Sequence, residues 1–429
     1  MTFEQTPHTY GRSLLSYLLR DTNPTHDPNK HSLNKHSPIT HVRDLPGRDP
    51  HYAPWPTWIL PAAKDWLNEQ GIAELYTHQV ATANLAWEGN HVVVATGTAS
   101  GKTLGYHLPI ITQLAADPNA TALYLSILGK HKSWLRLLRN LTYVVIDECH
   151  AYRGVFGSNV AIEVRRLLRL AAHYGATPTI ILASATTSHP EEAASTLIGM
   201  PVTAVTEDRS PQGERTIVLW EPPIIPRLEG ENGAPVRRAA TKEAATLMAD
   251  LVTEGARTLA FVRSRRGAED TALAAQHALI RCGEQGELPL DRATDLAQHI
   301  GAYRAGYLAE DRRQLEQDLN DGTLLAAATT NALELGVDIA GVDAVIIAGF
   351  PGTVASFWQQ SGRAGRRNQG SLVILIGRSD PLDSYLLHHP ETLLDKPWRL
   401  LLQTRQTLIF SSHNCGVLLR KCRCVMMKW

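Results

Sequence analysis

Short apolar runs alternate with amphipathic stretches along the chain from about residue 56 onward. The runs are rich in β-branched and aliphatic residues, which is typical of strands covered on both faces of a sheet. The intervening stretches repeat apolar residues at helical spacing. This alternation predicts an α/β fold with two tandem parallel-sheet lobes. The predicted strands are 91–96, 121–126, 143–147, 179–184 and 216–220 in the first lobe, and 257–262, 298–303, 323–329, 343–349 and 371–377 in the second.

Composition suggests five segments. Residues 1–55 are rich in His, Pro, Asn and Asp without periodicity, which favours a flexible leader. The segment 221–240 carries four prolines and reads as a linker between the lobes 56–220 and 241–395. The tail 396–429 loses the α/β pattern, has no acidic residue and holds three of the five cysteines, so we expect a basic, poorly ordered, truncated or frameshifted end.

Two metal sites are conceivable in these end segments. His31 and His36 could bind a metal, although they lie in a stretch without packing periodicity. The tail could hold zinc, but Cys-x-Cys with one further cysteine is a poor ligand pattern. The residues of that zinc alternative are His413, Cys415, Cys422 and Cys424.

Bulk composition narrows the class of protein. The 429 residues carry 42 basic and 42 acidic side chains, so no global basic field indicates a nucleic-acid partner. Five cysteines without regular spacing argue against a secreted disulfide scaffold. No apolar run reaches the length of a membrane span, and the N-terminus lacks the apolar core of a signal peptide. These features predict a cytoplasmic protein.

The stretch ATGTASGKT, residues 95–103, follows a predicted strand and opens a helix. Small residues let successive backbone N–H groups surround a phosphate, and the helix N-terminus favours negative charge. Lys102 would reach the β- and γ-phosphates, and the Thr103 hydroxyl would ligate Mg²⁺. Thr96 stands where the usual pattern has Gly or Ala. The stretch predicts an ATP-type site contacted by Thr98, Ala99, Ser100, Gly101, Lys102 and Thr103.

Acidic side chains follow the apolar run YVVI at 143–146. In a parallel sheet they would emerge at the same carboxyl edge as the phosphate loop. Asp147 could then hold Mg²⁺ through water, and Glu148 could polarise the water that attacks the γ-phosphate. His150 could couple the nucleotide state to a neighbouring strand end or simply cap local backbone. Cys149 is interpreted as a packing residue.

These motifs together resemble those of superfamily-two helicases of the DEAD/DEAH-box type, over about 56–395. ATGTASGKT, DECH (147–150), SAT (184–186) and QQSGRAGRR (359–367) are similar to motifs I, II, III and VI, while AFVRSRRGAE (260–269) and TTNALELGVDI (329–339) resemble motifs IV and V. DECHAYRGVFGSNVA and IGAYRAGYLAEDRRQLE look most like the bacterial MrfA/YprA-like DNA helicase branch. That branch implies ATP-driven 3′→5′ translocation on DNA and a role in DNA repair.

The resemblance also implies residue roles. LYTHQ (75–79) is similar to the Q motif and places Gln79 against the adenine. Gly336 and Asp338 of motif V would contact the nucleotide. The residues that would couple hydrolysis to the grip on nucleic acid are His150, Ser184, Thr186 and Gln359.

Motif VI would supply positive charge to the reaction. Arg363 and Arg366 lie three positions apart, on one face if the preceding helix continues through them. An arginine from the second lobe would neutralise charge on the γ-phosphoryl group and is expected to make lobe closure depend on ATP. The alternative is an ordinary basic helix end.

Helicase lobes of this kind track phosphates with backbone amides and hydroxyls, so the neutral net charge is no obstacle. The candidates in the second lobe are Ser264, Arg265, Thr329 and Thr330. The expected partner is single-stranded or partly duplex DNA, with RNA left open. The function classes to separate are a helicase or translocase, a nucleotide-gated binding module that does not unwind, and a different P-loop ATPase.

The first lobe is short. Only 45 positions separate Lys102 from Asp147, where helicases of the resembled family carry at least one further strand-helix unit. The strand 121–126 runs directly into ILGKHKSWLRLLRN, which has helical periodicity. We therefore expect an internal deletion near Ser126 and Ile127, with a naturally minimal lobe as the alternative. A missing unit would leave apolar sheet-edge surface exposed beside 121–126.

Overall fold

The computed structural model describes residues 10–19, 37–97, 100–116, 121–122, 135–152, 154–185, 189–229, 235–303, 307–333, 341–365 and 369–395. These residues divide into two compact units. The first lobe is Pro50–Ser210, and the second lobe joins residues up to Asp49 with Pro211–Lys396. The predicted α/β class with two parallel-sheet lobes is confirmed.

The helices and strands are numbered along the chain. The helices are α1 Tyr10–Leu18, α2 Pro61–Glu69, α3 Thr77–Trp87, α4 Lys102–Ala116, α5 Leu135–Arg139, α6 Gly154–His173, α7 Pro190–Ile198, α8 Ala240–Thr253, α9 Arg265–Glu284, α10 Leu290–Gln298, α11 Ala309–Asp321, α12 Val354–Ser361, α13 Pro381–His388 and α14 Pro390–Leu394. The strands are β1 Ile39–Leu45, β2 Tyr52–Ala53, β3 Leu75–Tyr76, β4 Val92–Ala95, β5 Thr121–Ala122, β6 Leu141–Ile146, β7 Thr179–Ser184, β8 Thr203–Val205, β9 Arg215–Trp220, β10 Ile224–Glu229, β11 Pro235–Arg237, β12 Thr258–Phe261, β13 Ile300–Tyr303, β14 Ala326–Thr329, β15 Ala344–Ala348 and β16 Ser371–Ile376.

The first lobe is built on a parallel sheet with the order β5-β6-β7-β4-β8. Alternate residues of β7 enter opposite cores, as the period of two along a strand requires. Ile180 and Leu182 pack with α6 and α7 on one face, whereas Ile181 and Ala183 pack with α3 and α4 on the other. Because both faces are covered, the central strands are apolar throughout, which explains the unbroken runs in the sequence.

The second lobe has a seven-stranded sheet with the order β1-β9-β16-β15-β12-β14-β13. All neighbouring pairs are parallel except β1 with β9. Val218 and Trp220 of β9 pack toward α1, α8 and α9, while Ile217 and Leu219 pack toward α12 and α13. The strand β9 is therefore buried on both faces in the middle of this core.

That placement corrects the predicted boundary between the lobes. The sequence predicts that the strand at 216–220 belongs to the first lobe, but β9 lies between β1 and β16 of the second. The prediction is wrong because hydrogen-bond pairing, and not position along the chain, decides which sheet a strand joins. The predicted linker 221–240 is also wrong in part, since β10 and β11 pair as an antiparallel hairpin within it.

The flexible leader is likewise wrong for its described residues. The helix α1 buries Leu14 and Leu15 against the second-lobe sheet, and β1 pairs with β9 over Ile39–Leu45. The Asp44 carboxylate of β1 accepts hydrogen bonds from Arg12 of α1 and, at 2.8 Å, from the Thr216 hydroxyl. These contacts hold a polar segment in place although its sequence shows no periodicity. The residues that it packs against lie far away along the chain.

Some predictions fall on residues outside the described set. They include the deletion junction near 126–127, the histidines at 31 and 36, and the whole tail 396–429. The deletion stays a prediction: the described part of β5 is the edge pair Thr121–Ala122, and the chain is described again from Leu135. None of the described helices is long and apolar enough to cross a bilayer.

Replacing Gly11 by Ala tests whether α1 belongs to the second lobe. A Cβ at this position would lie 2.2 Å from the backbone oxygen of Ser371, so we expect a loss of about 1–3 kcal/mol in the free energy of unfolding. A helix that was not docked would instead gain about 0.5–1 kcal/mol from the same change. Urea denaturation decides between the two signs, with Ser13→Ala on the exposed face of α1 as the control.

Candidate active site

The phosphate loop connects β4 to α4, and side chains from the start of α3 support it. The buried Gln79 donates from Nε2 to the Gly101 carbonyl at 2.9 Å, while its Oε1 accepts from the Tyr76 backbone at 2.8 Å. Gly101 has a φ of +74°, and a Cβ there would lie 2.6 Å from Gln79 Nε2. Glycine is needed at this position both for the backbone conformation and for the close approach. The adenine contact assigned to Gln79 stays a prediction.

The neighbouring His78 makes a second link to the loop. Its buried ring places Nε2 2.9 Å from the Ser100 carbonyl, and Nδ1 accepts from the Arg209 backbone at 3.4 Å. A carbonyl can only accept and an N–H can only donate, so these partners assign the proton to Nε2 and leave a neutral imidazole. His78 therefore joins the loop to the segment that follows β8.

A carboxylate anchors the start of the loop. Asp208 Oδ2 accepts from the Gly97 backbone at 2.9 Å, and Oδ1 accepts from the backbone and hydroxyl of Ser210 at 3.0 and 2.7 Å. Within the loop, the hydroxyls of Thr96 and Ser100 are 2.7 Å apart and buried. The departure at Thr96 thus supplies a hydrogen bond that Gly or Ala could not make.

Lys102 begins α4 and turns its ammonium back onto the loop. Nζ donates to the carbonyls of Thr96 and Gly97, each at 3.1 Å. Burial lowers the pKa of Lys102, and the negative charges of Glu148, Asp147 and Asp208 oppose that shift. The ammonium is therefore held in a partly desolvated site facing carboxylates, whose charges favour its protonated form.

Two oxygen ligands suited to magnesium lie close together beside this lysine. The Tyr106 hydroxyl is 3.5 Å from Asp147 Oδ2 and also interacts with the Thr103 side chain, so it lies between the two groups. Burial raises the pKa of Tyr106, which keeps its hydroxyl protonated. Among the residues with described positions, no three His, Cys, Asp or Glu side chains form a metal cluster. One carboxylate and one hydroxyl fit Mg²⁺, which keeps several waters and shares phosphate oxygens.

Glu148 and His150 connect the acidic end of β6 to the end of β7. Glu148 has a φ of 49°, in the left-handed region that non-glycine residues rarely adopt. His150 Nδ1 lies 3.2 Å from Glu148 Oε2 and 3.3 Å from the Ala185 backbone nitrogen, which donates to it. These two partners compete for Nδ1. The Glu148 carboxylate can accept a hydrogen bond only from a protonated Nδ1, whereas the Ala185 N–H can donate only to an unprotonated one. A change in the charge or position of Glu148 would therefore alter the hydrogen bond between His150 and the Ala185 backbone.

The Cys149 thiol is held in its protonated form. Burial raises the pKa of its thiol to about 12, so the reactive thiolate is scarce at neutral pH. The thiol borders a small pocket of about 30 Å³, large enough to hold water. His150, Tyr152 and Ser184 line the same pocket, and the Ser184 hydroxyl donates to the Ala185 carbonyl at 2.8 Å. The packing role expected for Cys149 agrees with this geometry.

In the second lobe, motif VI departs from the expected helix. The helix α12 ends at Ser361, and Gly362 follows as its cap, so Arg363 does not continue the helical face. The Arg363 carbonyl instead accepts from the Val342 backbone at 3.0 Å, and the Val342 carbonyl accepts from Gly365 at 2.8 Å. Gly365 has a φ of +103°, a backbone conformation that is incompatible with a continuing α-helix and that favours glycine. The described residues 362–365 of motif VI form a turn anchored beside β15, and this segment is called the motif VI turn.

The candidate nucleic-acid contacts are unequal in exposure. Ser264 and Arg265 are exposed, with the Ser264 hydroxyl capping α9 through the Gly267 backbone at 3.0 Å. Thr329 has no exposed surface, and its hydroxyl donates to the Thr330 carbonyl at 3.1 Å. In this conformation the Thr329 hydroxyl therefore cannot reach a phosphate of bound nucleic acid, so the predicted contact is wrong for this residue. Thr330 and the coupling candidate Gln359 are also buried.

Several sequence candidates lie outside the described residues. They are Thr98, Ala99, Thr186, Gly336, Asp338 and Arg366. Their roles stay predictions.

Sequence reasoning missed four residues with clear structural partners: His78, Tyr106, Asp208 and Arg215. A weak signal existed for two of them. His78 precedes Gln79 inside the Q-like stretch, and Asp208 opens an Asp-x-Ser turn whose side chain accepts from the backbone two residues on. Nothing local distinguishes Tyr106 or Arg215, whose partners are 41 and 149 positions away.

Comparison with known proteins agrees with this site. The family described as DEAD/DEAH box helicase matches residues 76–129, and the helicase conserved C-terminal domain matches 242–368. The ATP-dependent helicase YprA of Bacillus subtilis is 34% identical over 416 residues, covering 83% of this chain and 53% of that protein. The ATP-dependent helicase HRQ1 of Saccharomyces cerevisiae is 32% identical and covers 84% of this chain and 38% of its own.

Solved structures show the same likeness. A crystal structure of the DUF1998 helicase MrfA bound to DNA and AMPPNP has a TM-score of 0.80 and 32% identity, covering 93% of this chain and 59% of that one. The Mycobacterium smegmatis helicase Lhr, bound to ssDNA and AMP-PNP, has a TM-score of 0.61 at 23% identity and supports the fold alone. The chain belongs to the superfamily-two helicases. Within that class it is a member of the MrfA/YprA branch, and it spans about half the length of the YprA relative.

Replacing Gln79 by Glu should weaken ATP binding about tenfold or more. The change keeps an acceptor for the Tyr76 backbone but sets a carboxylate against the Gly101 carbonyl, and it adds negative charge beside the phosphate site. Titration with a fluorescent ATP analogue measures the affinity. Gln70→Glu, on the exposed end of α2, makes the same charge change as a control. Equal affinity in wild type and Gln79→Glu would contradict a link between Gln79 and the loop.

Proposed function

We propose that this chain is an ATP-dependent DNA helicase or translocase that couples ATP hydrolysis to movement along single-stranded DNA. The DNA-bound MrfA structures support DNA as the nucleic acid. A role in DNA repair is the corresponding proposal for the pathway and rests on the resemblance to the branch.

The observation that carries the proposal is the convergence of three motifs at one sheet edge. The phosphate loop follows β4, the Asp147–Glu148 pair follows β6, and Ala185 follows β7, which lies between the other two strands. Parallel strands place these three ends side by side, where ligands bind in open α/β sheets. The pKa of Lys102 responds to Glu148 and Asp147, which supports their closeness in space.

The residues of the first lobe can then be given roles. Lys102 would exchange its two loop carbonyls for phosphate oxygens, since an anion is a stronger partner for an ammonium than a carbonyl. Glu148 would orient and deprotonate the attacking water. His150, which faces both Glu148 and the Ala185 backbone, would transmit the state of the acid to motif III.

Magnesium would be held by Thr103 and Asp147, with Tyr106 keeping the two side chains in register. When bound, the ion neutralises phosphate charge and orients the triphosphate. In the second lobe, Arg363 and Arg366 would stabilise charge on the γ-phosphoryl group, and Ser264 and Arg265 would contact the nucleic-acid backbone.

A second candidate function is nucleotide-gated nucleic-acid binding without unwinding. The 45 positions between Lys102 and Asp147 favour it, because the expected missing unit would remove nucleic-acid contacts from the first lobe. The match to the DEAD/DEAH box family ends at residue 129, directly after the expected junction, which supports the same view.

We expect Lys102→Ala to abolish ATP binding or hydrolysis, and Glu148→Gln to keep binding while slowing hydrolysis at least about 10²-fold. The first change removes the phosphate cation, and the second removes the base but preserves side-chain shape. Steady-state ATP hydrolysis with and without single-stranded DNA, together with nucleotide titration, measures both effects. Glu163→Gln on the exposed face of α6 is the matched control.

Wild-type nucleotide affinity together with wild-type hydrolysis in Lys102→Ala would refute the phosphate-loop assignment. Hydrolysis that single-stranded DNA and RNA both fail to stimulate would favour an unrelated P-loop ATPase. Stimulation by RNA alone would overturn the DNA assignment.

We also expect this 429-residue chain to bind ATP but to displace little strand from a partly duplex DNA, because of the expected deletion. A strand-displacement assay tests this, with the Bacillus subtilis YprA protein assayed in parallel as an intact relative. Robust displacement by this chain would rule out the deletion hypothesis and the non-unwinding candidate together.

A further inference from the structure

Arg215 occupies a core position of the second lobe that the pattern of its strand reserves for an apolar side chain. It shares a face of β9 with Ile217 and Leu219, because side chains alternate along a strand. Those two residues pack into the core beneath α12 and α13. Arg215 itself is 7% exposed.

The guanidinium reaches the motif VI turn. Its Nη2 donates to the Ala364 carbonyl at 3.1 Å, and Ala364 directly follows Arg363. The backbone on either side is held by Val342, which bonds to the Arg363 carbonyl at 3.0 Å and the Gly365 nitrogen at 2.8 Å. Two consecutive peptide groups of the turn are thus fixed, and Arg215 supplies a side-chain hydrogen bond to the second of them.

This arrangement is costly for stability. Among the described residues, Arg215 forms no ion pair, and its buried Nε has no hydrogen-bond partner. The hydroxyls of Ser361 and Ser371 are also buried without a partner within the described part of the chain. Burial lowers the pKa of Arg215 to about 10, so the group still carries its charge at neutral pH. A buried charge with one neutral acceptor destabilises a fold relative to an apolar side chain of similar volume.

We propose that Arg215 is a positioning residue for ATP turnover, which holds the motif VI turn through the Ala364 carbonyl, directly after Arg363. Its side chain does not need to touch the nucleotide. The role in positioning motif VI would then explain why a destabilising buried arginine is kept, since residues that oppose the local packing pattern often lie at functional sites. The inference rests on the proposed ATP hydrolysis and on the role of motif VI.

The test compares Arg215→Met, Arg215→Lys and Arg363→Ala with wild type. DNA-stimulated ATP hydrolysis gives kcat and KM, and thermal unfolding gives stability. We expect Arg215→Met to lower kcat at least about tenfold with KM for ATP changed less than about threefold, since a small displacement of a catalytic group has effects of this order. Its unfolding midpoint should equal or exceed that of wild type, because an uncompensated buried charge has been replaced by an apolar chain.

Arg215→Lys should fold and lose less kcat than Arg215→Met, because it keeps the charge but not the planar donor geometry. Arg257→Met is the matched control, as the Arg257 side chain also donates to backbone carbonyls, those of Leu319 and Asn320 at 3.1 Å, which belong to α11 and not to motif VI. We expect it to lower the unfolding midpoint and leave kcat within about twofold of wild type, because it removes a partly buried donor that is paired with two carbonyls.

A kcat in Arg215→Met within twofold of wild type, or a loss matched by a lowered midpoint, would overturn the inference. If Arg215→Met does not fold, Arg215→Lys decides: reduced kcat at an unchanged midpoint supports the inference, and wild-type kcat overturns it. A wild-type chain without ATP hydrolysis, or an unimpaired Arg363→Ala, would instead refute the proposed function on which the inference depends.

Discussion

The parallel pairing of β4, β7 and β6 is the constraint on which the first lobe's candidate site depends. It sets Ala95 opposite Ser184 and Ile146 opposite Leu182, so that three loops distant in sequence leave the sheet at the same edge. Each loop then carries a different kind of group: backbone donors with a lysine, two carboxylates, and a backbone N–H that faces a histidine. No one of these loops could bind and hydrolyse a triphosphate alone.

A second theme is that buried polar side chains fix the backbone of the working loops. His78 and Gln79 hold the carbonyls of Ser100 and Gly101, and Asp208 holds the nitrogen of Gly97. His150 accepts from Ala185, and Arg215 donates to Ala364. Inside a protein such bonds are stronger than in water, so these side chains rigidify turns that lack regular secondary structure.

The sequence indicated where the site's main residues lie, because the phosphate loop and the acidic pair are local patterns at the ends of parallel strands. Lys102, Asp147 and Glu148 lie close together, and their chemical roles stay predictions. The supporting residues were not readable, since a lone histidine, aspartate or arginine has many uses and only its partner identifies one. Whether α12 continues to Arg363 was left open by the sequence, and the structure shows that it does not: Gly362 caps the helix and the Arg363 carbonyl pairs with Val342.

The sequence by itself determined the alternation of strands and helices, the two lobes and the order of the motifs, because apolar periodicity and short-range spacing encode them. Only the tertiary structure decided that α1, β1 and β9 complete the second lobe. Strand pairing is a long-range choice: Ile39 meets Trp220 across 181 positions, and the same apolar run could equally have extended the first sheet. Tertiary packing also decided that Arg215 would be buried against motif VI, because the sequence does not show which backbone carbonyl will accept a hydrogen bond from an arginine in an apolar strand.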